Sequence, residues 1–162
     1  MNSYETIEFK EKYKSLDNTL FWLVQQALIS VPYCREKFGS NNSIQKIWTI
    51  GKFNLNYTKD TPGVEQIQSV PTLLENNIHG KPGSGDCDCF TVFTISMLLA
   101  SNYNPKDIFI VLQGRQKNLA VHVLTAIKES NGKYYYIDFT EKHPGVKRKY
   151  NFIQFVPIKK YL

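Results

Sequence analysis

The sequence predicts an α+β fold in which N-terminal helices precede a central buried helix packed against an antiparallel sheet. Two observations carry this prediction. From Cys87 to Ala100 there is no Gly or Pro, and Phe90, Val92, Phe93, Ile95, Met97, Leu98 and Leu99 occupy nearly every face. A helix that is apolar all round belongs in the interior of a domain. After Ala100 the hydrophobic period changes from 3.6 to 2, the signature of strands.

Taken in order, Tyr4–Ser15 is charged and reads as a peripheral helix. Asp17 is placed to cap a helix over Asn18–Ile29, where Leu20, Phe21, Leu23, Val24, Ala27 and Leu28 form a broad apolar face and Pro32 marks the end. Cys34 follows with no chemistry around it. Ser40–Ser43 is a turn, and Ile44–Tyr57 fits helix or strand equally. Lys59-Asp-Thr-Pro-Gly63 is a second turn. Val64–Leu74 is short and broken at Pro71, and Asn76–Gly85, with three glycines and Pro82, is the loop that delivers the central helix. Beyond that helix, Asp107–Gln113 is a β-branched run suited to a covered strand. Leu119–Ile127 and Lys133–Phe139 flank Glu129-Ser-Asn-Gly132 as a hairpin, and Asn151–Ile158 is a last strand.

At 162 residues, the simplest organisation is one domain with a substantial core. Hydrophobic content of 42% excludes a disordered chain. No apolar run approaches the roughly 20 residues that span a bilayer, so no membrane partner is expected. The mixed, acidic N-terminus does not read as a secretory signal, and three cysteines without a disulfide framework suit a reducing cytoplasm. The net charge of +6 is concentrated in Lys142–Lys160. That segment reads as a solvated, steering surface rather than a phosphate-tracking arm, so nucleic acid is not an expected partner.

Three residues stand out chemically. Asp86 or Ser84 can cap the central helix, which puts Cys87 in its first turn, where free amides and the helix dipole favour a thiolate. Asp86 and Asp88 oppose this by like charge. His122 and Asp138 each lie within an otherwise apolar strand, where an ionisable group needs a partner. Paired, the carboxylate would take Nδ1–H and leave Nε2 facing outward. Singly, each residue has an ordinary explanation as a buried cysteine, a core histidine or an edge aspartate. Together they supply nucleophile, base and orienter. Asp86, Cys87, Asp88, Cys89, His122 and His143 also offer zinc-ligand types, but no second Cys or His pair has finger-like spacing, and neither metal nor cofactor is expected. His79 and His143 lie in Gly/Pro-containing loops and read as surface residues.

Gly85-Asp-Cys-Asp88 opening a helix, then His122 and Asp138 in successive strands, resembles the bacterial and phage transglutaminase-like cysteine peptidases, relatives of the transglutaminase core and more distantly of papain. The stretch Tyr57–Leu74 is similar to that family's approach segment, so the resemblance runs from Tyr57 to Phe139. It implies a single transglutaminase-like domain over residues 1–162, with 1–56 a helical N-terminal part and 57–162 the catalytic core. It further implies Cys87 as nucleophile, His122 as general base then acid, and Asp138 as orienter. The expected activity is thiol-dependent amide hydrolysis or acyl transfer on a protein or peptide substrate through a thioester, in the cytoplasm or in association with a phage. The alternative is a catalytically silent binding or assembly module on the same fold. The family's Asp-Asp after the cysteine is Asp88-Cys89 here, and its Asp-Pro is Asp138-Phe139. The Cys87 amide is the leading oxyanion donor, ahead of the Gln66 or Gln68 side chains.

Two geometric expectations follow. A two-residue Asn131-Gly132 turn would set Thr125 opposite Asp138 and send His122 to the other face of the sheet. A three-residue Ser130–Gly132 loop would pair Glu129 with Lys133, set Leu124 opposite Asp138, and put His122 on Asp138's face; this loop is the one expected. On a helix starting at Cys87, Cys89 lies about 200° around the axis. Cys87 should therefore be the accessible thiol, with Cys89 in the core near Phe90 or Phe93.

Overall fold

A computed structural model describes residues 6–10, 16–62, 64–78, 80–116 and 119–162. In chain order the elements are β1 (Thr6–Lys10), α1 (Leu16–Phe38), α2 (Ile44–Asn54), β2 (Asn56–Tyr57), β3 (Val64–Gln68), α3 (Val70–Glu75), β4 (Asn77–Ile78), β5 (Lys81–Pro82) and β6 (Ser84–Gly85). They continue with α4 (Cys87–Ala100), β7 (Ile108–Gln116), β8 (Leu119–Lys128), β9 (Tyr134–Ile137) and β10 (Phe152–Pro157). The fold is α+β, as the sequence predicts.

α4 is the centre of the molecule. Asp86 caps it by accepting from the amides of Asp88 and Cys89, and Phe93, Ile95, Met97 and Leu98 are fully buried. One side of α4 meets α1 and another meets the sheet. That sheet has the order β10-β7-β8-β9, antiparallel throughout. Its core-facing alternation places Ile108, Ile110, Leu112, Val123, Ile127 and Ile137 in one cluster with α4. Val111, Leu124, Ala126 and Tyr136 form a smaller cluster of their own.

The N-terminal third departs from the sequence reading in three places. Thr6–Lys10 is a strand paired antiparallel with β3, not part of a peripheral helix; the rest of Tyr4–Ser15 lies outside the described residues, as do Gly63 and His79. Pro32 does not end α1, which runs on to Phe38. Proline removes only one helical hydrogen bond, and tertiary contacts hold the helix on both sides of it. Upstream, Ser30 Oγ donates to the Gln26 carbonyl and accepts from the Val70 amide; downstream, Cys34 is fully buried and Arg35 Nε reaches the Ala100 carbonyl. Asp17 lies inside the first turn, and its carboxylate accepts from Tyr161 Oη and Lys160 Nζ, both at 2.8 Å. It ties the helix to the C-terminus.

Ile44–Tyr57 resolves into α2, capped by Ser43, and the two-residue β2. Pro71 is no interruption: Ser69 caps α3, and proline sits at the start of that helix, where its missing N–H is harmless. β2 pairs in parallel with β6, and the flanking Asn56 and Thr58 amides donate to the Gly83 and Gly85 carbonyls. Tyr57 is thereby fixed to the segment that leads into Cys87. Among the described residues, no helix is long and apolar enough to cross a membrane.

Candidate active site

The β8–β9 hairpin sets the geometry. Glu129 N–H donates to the Lys133 carbonyl at 2.8 Å, Gly132 N–H donates to the Glu129 carbonyl at 2.9 Å, and Gly132 has φ +81°. This is the expected three-residue loop, with glycine supplying the left-handed residue. Thr125 then faces Ile137, Ala126 faces Tyr136 and Ile127 faces Tyr135, so the register continues to Leu124 opposite Asp138. His122 and Asp138 share a face and meet: Nε2···Oδ2 is 2.6 Å, with the two residues 8% and 6% exposed.

The nitrogen engaged is Nε2, not Nδ1 as the sequence reading had it. Nδ1 is left as the ring nitrogen free of the carboxylate. The β7–β8 register is irregular next to His122. Gln113 pairs with His122 but Gly114 pairs with Ala120, which leaves Val121 as an extra residue, 64% exposed. A bulge of this kind twists the strand locally and re-aims its neighbour. The sequence carries no cue to it.

Asp138 is held from its other side as well. Oδ1 accepts from the Thr140 amide at 3.0 Å and from Thr140 Oγ1 at 2.6 Å. Burial pushes this carboxyl up, but the His122 hydrogen bond and charge and the two Thr140 bonds outweigh it and hold it below the ordinary carboxylate range. Arg148 Nη2 donates to Thr140 Oγ1 at 3.3 Å, and its Nε pairs with Glu141. Phe139, where the resembled family has proline, is a core residue stacked on Trp48 at 5.1 Å and edge-on to Phe93 at 5.6 Å. It anchors the strand end that presents Asp138.

Cys87 is partly exposed and Cys89 fully buried, the division expected. Cys89 shares the core cluster with Phe90 and Phe93 and also engages β3: its thiol donates to the Gln66 carbonyl at 3.4 Å and accepts from Gln68 Nε2 at 3.5 Å. Gln68 is turned toward Cys89 and the Ser84 carbonyl, and neither Gln66 nor Gln68 lines the pocket that holds Cys87. Tyr57 does line that pocket. The Asp86 side chain caps the Asp88 and Cys89 amides.

The Cys87 thiol is not depressed by the helix end. Burial pushes it well above the ordinary thiol value, Asp88 and Asp86 push it further, and hydrogen bonding from the Val123 backbone works in the opposite direction. Burial is the largest of these effects, and the Asp86 carboxylate seated on the helix N-terminus also offsets the dipole that would favour a thiolate.

Cys87 and His122 line one pocket of about 330 Å³ with Tyr57, Lys59, Asp60, Asp86 and Asp88, floored by Leu20, Leu23, Leu112 and Val123. His122 and Tyr57 also line a second pocket of about 430 Å³ with Lys52, Phe90, Phe139, Thr140 and Arg148. Tyr57 is half exposed, edge-on to Phe90 at 6.1 Å, and its hydroxyl is held protonated by burial and by Cys87, Asp86, Asp60 and Asp88. Gln113, across from His122, has a buried Oε1 with no hydrogen-bond partner among the described residues.

A family model for the transglutaminase-like domain matches residues 29–154. The chain belongs to that family. The match extends beyond Tyr57–Phe139 on both sides, taking in the C-terminal part of α1 from Ile29 and the first half of β10. No curated protein and no solved structure matches the chain. Within this transglutaminase-like domain, His143 is exposed in the segment after Asp138. Among the described residues, no three His, Cys, Asp or Glu side chains are gathered so as to hold a metal ion.

Proposed function

We propose that the protein is a thiol-dependent amide hydrolase or acyltransferase working through a thioester on Cys87. The observation that carries this reading is the buried 2.6 Å His122–Asp138 pair opening onto the pocket that holds Cys87 at the start of α4. With Nε2 bound to Asp138, His122 offers Nδ1 to the thiol. In the resting state the thiol keeps its proton. As Sγ attacks the amide carbonyl carbon, the proton passes to Nδ1, so charge develops only when substrate is present. The oxyanion is received by the Cys87 amide and the Tyr57 hydroxyl. His122 then gives its proton to the leaving amine, and water or a second amine resolves the thioester. Asp138 fixes the imidazole tautomer and offsets the charge on the imidazolium.

A second reading, a binding or assembly module without turnover, is favoured by one observation: the upward-pushed thiol between Asp86 and Asp88. Iodoacetamide alkylation, mapped by mass spectrometry from pH 6 to 9, separates the two. The enzyme reading expects Cys87 to react faster than Cys34, whose thiol burial pushes up to about 12, and to slow at least tenfold in His122→Ala. A Cys87 as inert as Cys34, and indifferent to His122, would establish the binding module instead.

A further inference from the structure

The basic segment after Asp138 is not a detached solvated surface. Arg148 lines both the 430 Å³ pocket on the far side of His122 and an adjoining hollow of about 550 Å³ lined by Arg115, Lys149, Tyr150 and Asn151. Lys52 adds a fixed charge to the first pocket, its Nζ held by the carbonyls of Phe139 and Glu141 at 3.1 and 2.9 Å. Glu141 pairs with Arg148 and offsets one charge, while Lys52, Arg115 and Lys149 remain. Among the described residues, no carboxylate lines either hollow. On the Cys87 side the balance is reversed, with Asp60, Asp86 and Asp88 against Lys59. The cleft is therefore polarised about its reacting centre. The basic side is also joined to that centre by a hydrogen-bond chain from Arg148 through Thr140 and Asp138 to His122.

We propose that this basic cleft receives an acidic segment of a polypeptide substrate, lying to the Arg148 side of the bond attacked. The proposal rests on Cys87 and His122 being the reacting pair, since they place the attacked bond at the boundary between the two pockets. Complementary charge gathers such a segment by long-range attraction, and the acidic pocket repels it in the reverse orientation, so the field sets direction as well as affinity. Arg115 and Lys149 are exposed, with guanidinium and ammonium groups available to carboxylates.

The test is binding, read by fluorescence anisotropy with labelled hexaglutamate, hexaserine, hexalysine and a dT12 oligonucleotide on the Cys87→Ala protein. This readout needs no turnover, so an inactive thiol and an empty cleft give separable results. Hexaglutamate should bind more tightly than hexaserine and hexalysine, and should weaken as salt rises from 50 to 300 mM. Its Kd should rise on the order of fivefold to tenfold in Arg115→Ala/Lys149→Ala. Lys106→Ala, outside the cleft, should leave it unchanged. Equal binding of hexaglutamate and hexaserine, or indifference to the double substitution, would overturn the proposal. A dT12 affinity exceeding that for hexaglutamate would overturn it in favour of nucleic acid.

Discussion

Replacing Asp138 by Asn tests the His122 pairing with the least change in shape. The carboxylate uses both oxygens: Oδ2 meets His122 Nε2, and Oδ1 accepts from the Thr140 amide and hydroxyl. An asparagine has one oxygen for these two sides. If it faces Thr140, its NH₂ faces Nε2 and forces the ring proton onto Nδ1, the atom needed as base. If it faces His122, the half-buried Thr140 N–H loses its acceptor. Either orientation loses roughly one charge-assisted bond, a destabilisation of about 1.5–3 kcal/mol at pH 7. The pH dependence has a definite sign. Asp138 titrates below its ordinary range in the folded state, so its contribution is complete above the unfolded carboxyl value of about 3.9 and is lost as pH falls through the lower folded value. Urea unfolding of both proteins from pH 7 to pH 3 should show a gap that is constant down to about pH 4 and narrows below it. A gap under about 0.5 kcal/mol, or one that widens on acidification, would refute the pairing argument.

Three further outcomes follow from the same geometry. Cys89→Ala should lose about 1 kcal/mol in chemical denaturation from reduced burial, while Cys87 alkylation is unchanged; a slowed Cys87 would place Cys89 in the chemistry. Gly51→Ala would set a Cβ 2.2 Å from Phe139 Cε1, inside the stack with Trp48, and should cost about 1–3 kcal/mol and lower Tm. An unchanged Tm would mean that the ring is not held. Asp88→Asn removes a negative charge that raises the Cys87 thiol, so alkylation at pH 8 should quicken about twofold to tenfold. A slower rate would show that Asp88 acts by structure rather than charge.

Much of the fold was legible because its signals are strong and local. α4 is apolar on nearly every face, and β7 is a continuous β-branched run suited to a covered strand, so burial and propensity agree. Pro32 and Thr6–Lys10 were not legible for the same reason. A proline is a local stop signal, but Ser30 and Arg35 hold the helix through hydrogen bonds to α3 and α4 that no window of sequence contains. β1 is a strand because β3 pairs with it, more than fifty residues along the chain.

The site divides along the same line. Which residues meet follows from alternation and a loop length, both of which can be read from Glu129–Lys133. Which atoms meet does not, because the side-chain torsions of His122, which no backbone pattern encodes, bring Nε2 rather than Nδ1 to Asp138. The thiol is the sharper case. Position at a helix N-terminus argues for an anion, but only while the terminus is uncapped and wet. In this chain Asp86 supplies the cap, Asp88 adds a second negative charge and burial removes water. All three favour the neutral thiol, so the proposed reaction needs a base that acts when substrate arrives. The resting state this requires, protonated Cys87 beside an imidazole with Nδ1 free of the carboxylate, is what the His122→Ala alkylation profile reads directly. A thiol already ionised would not depend on that base between pH 6 and 9.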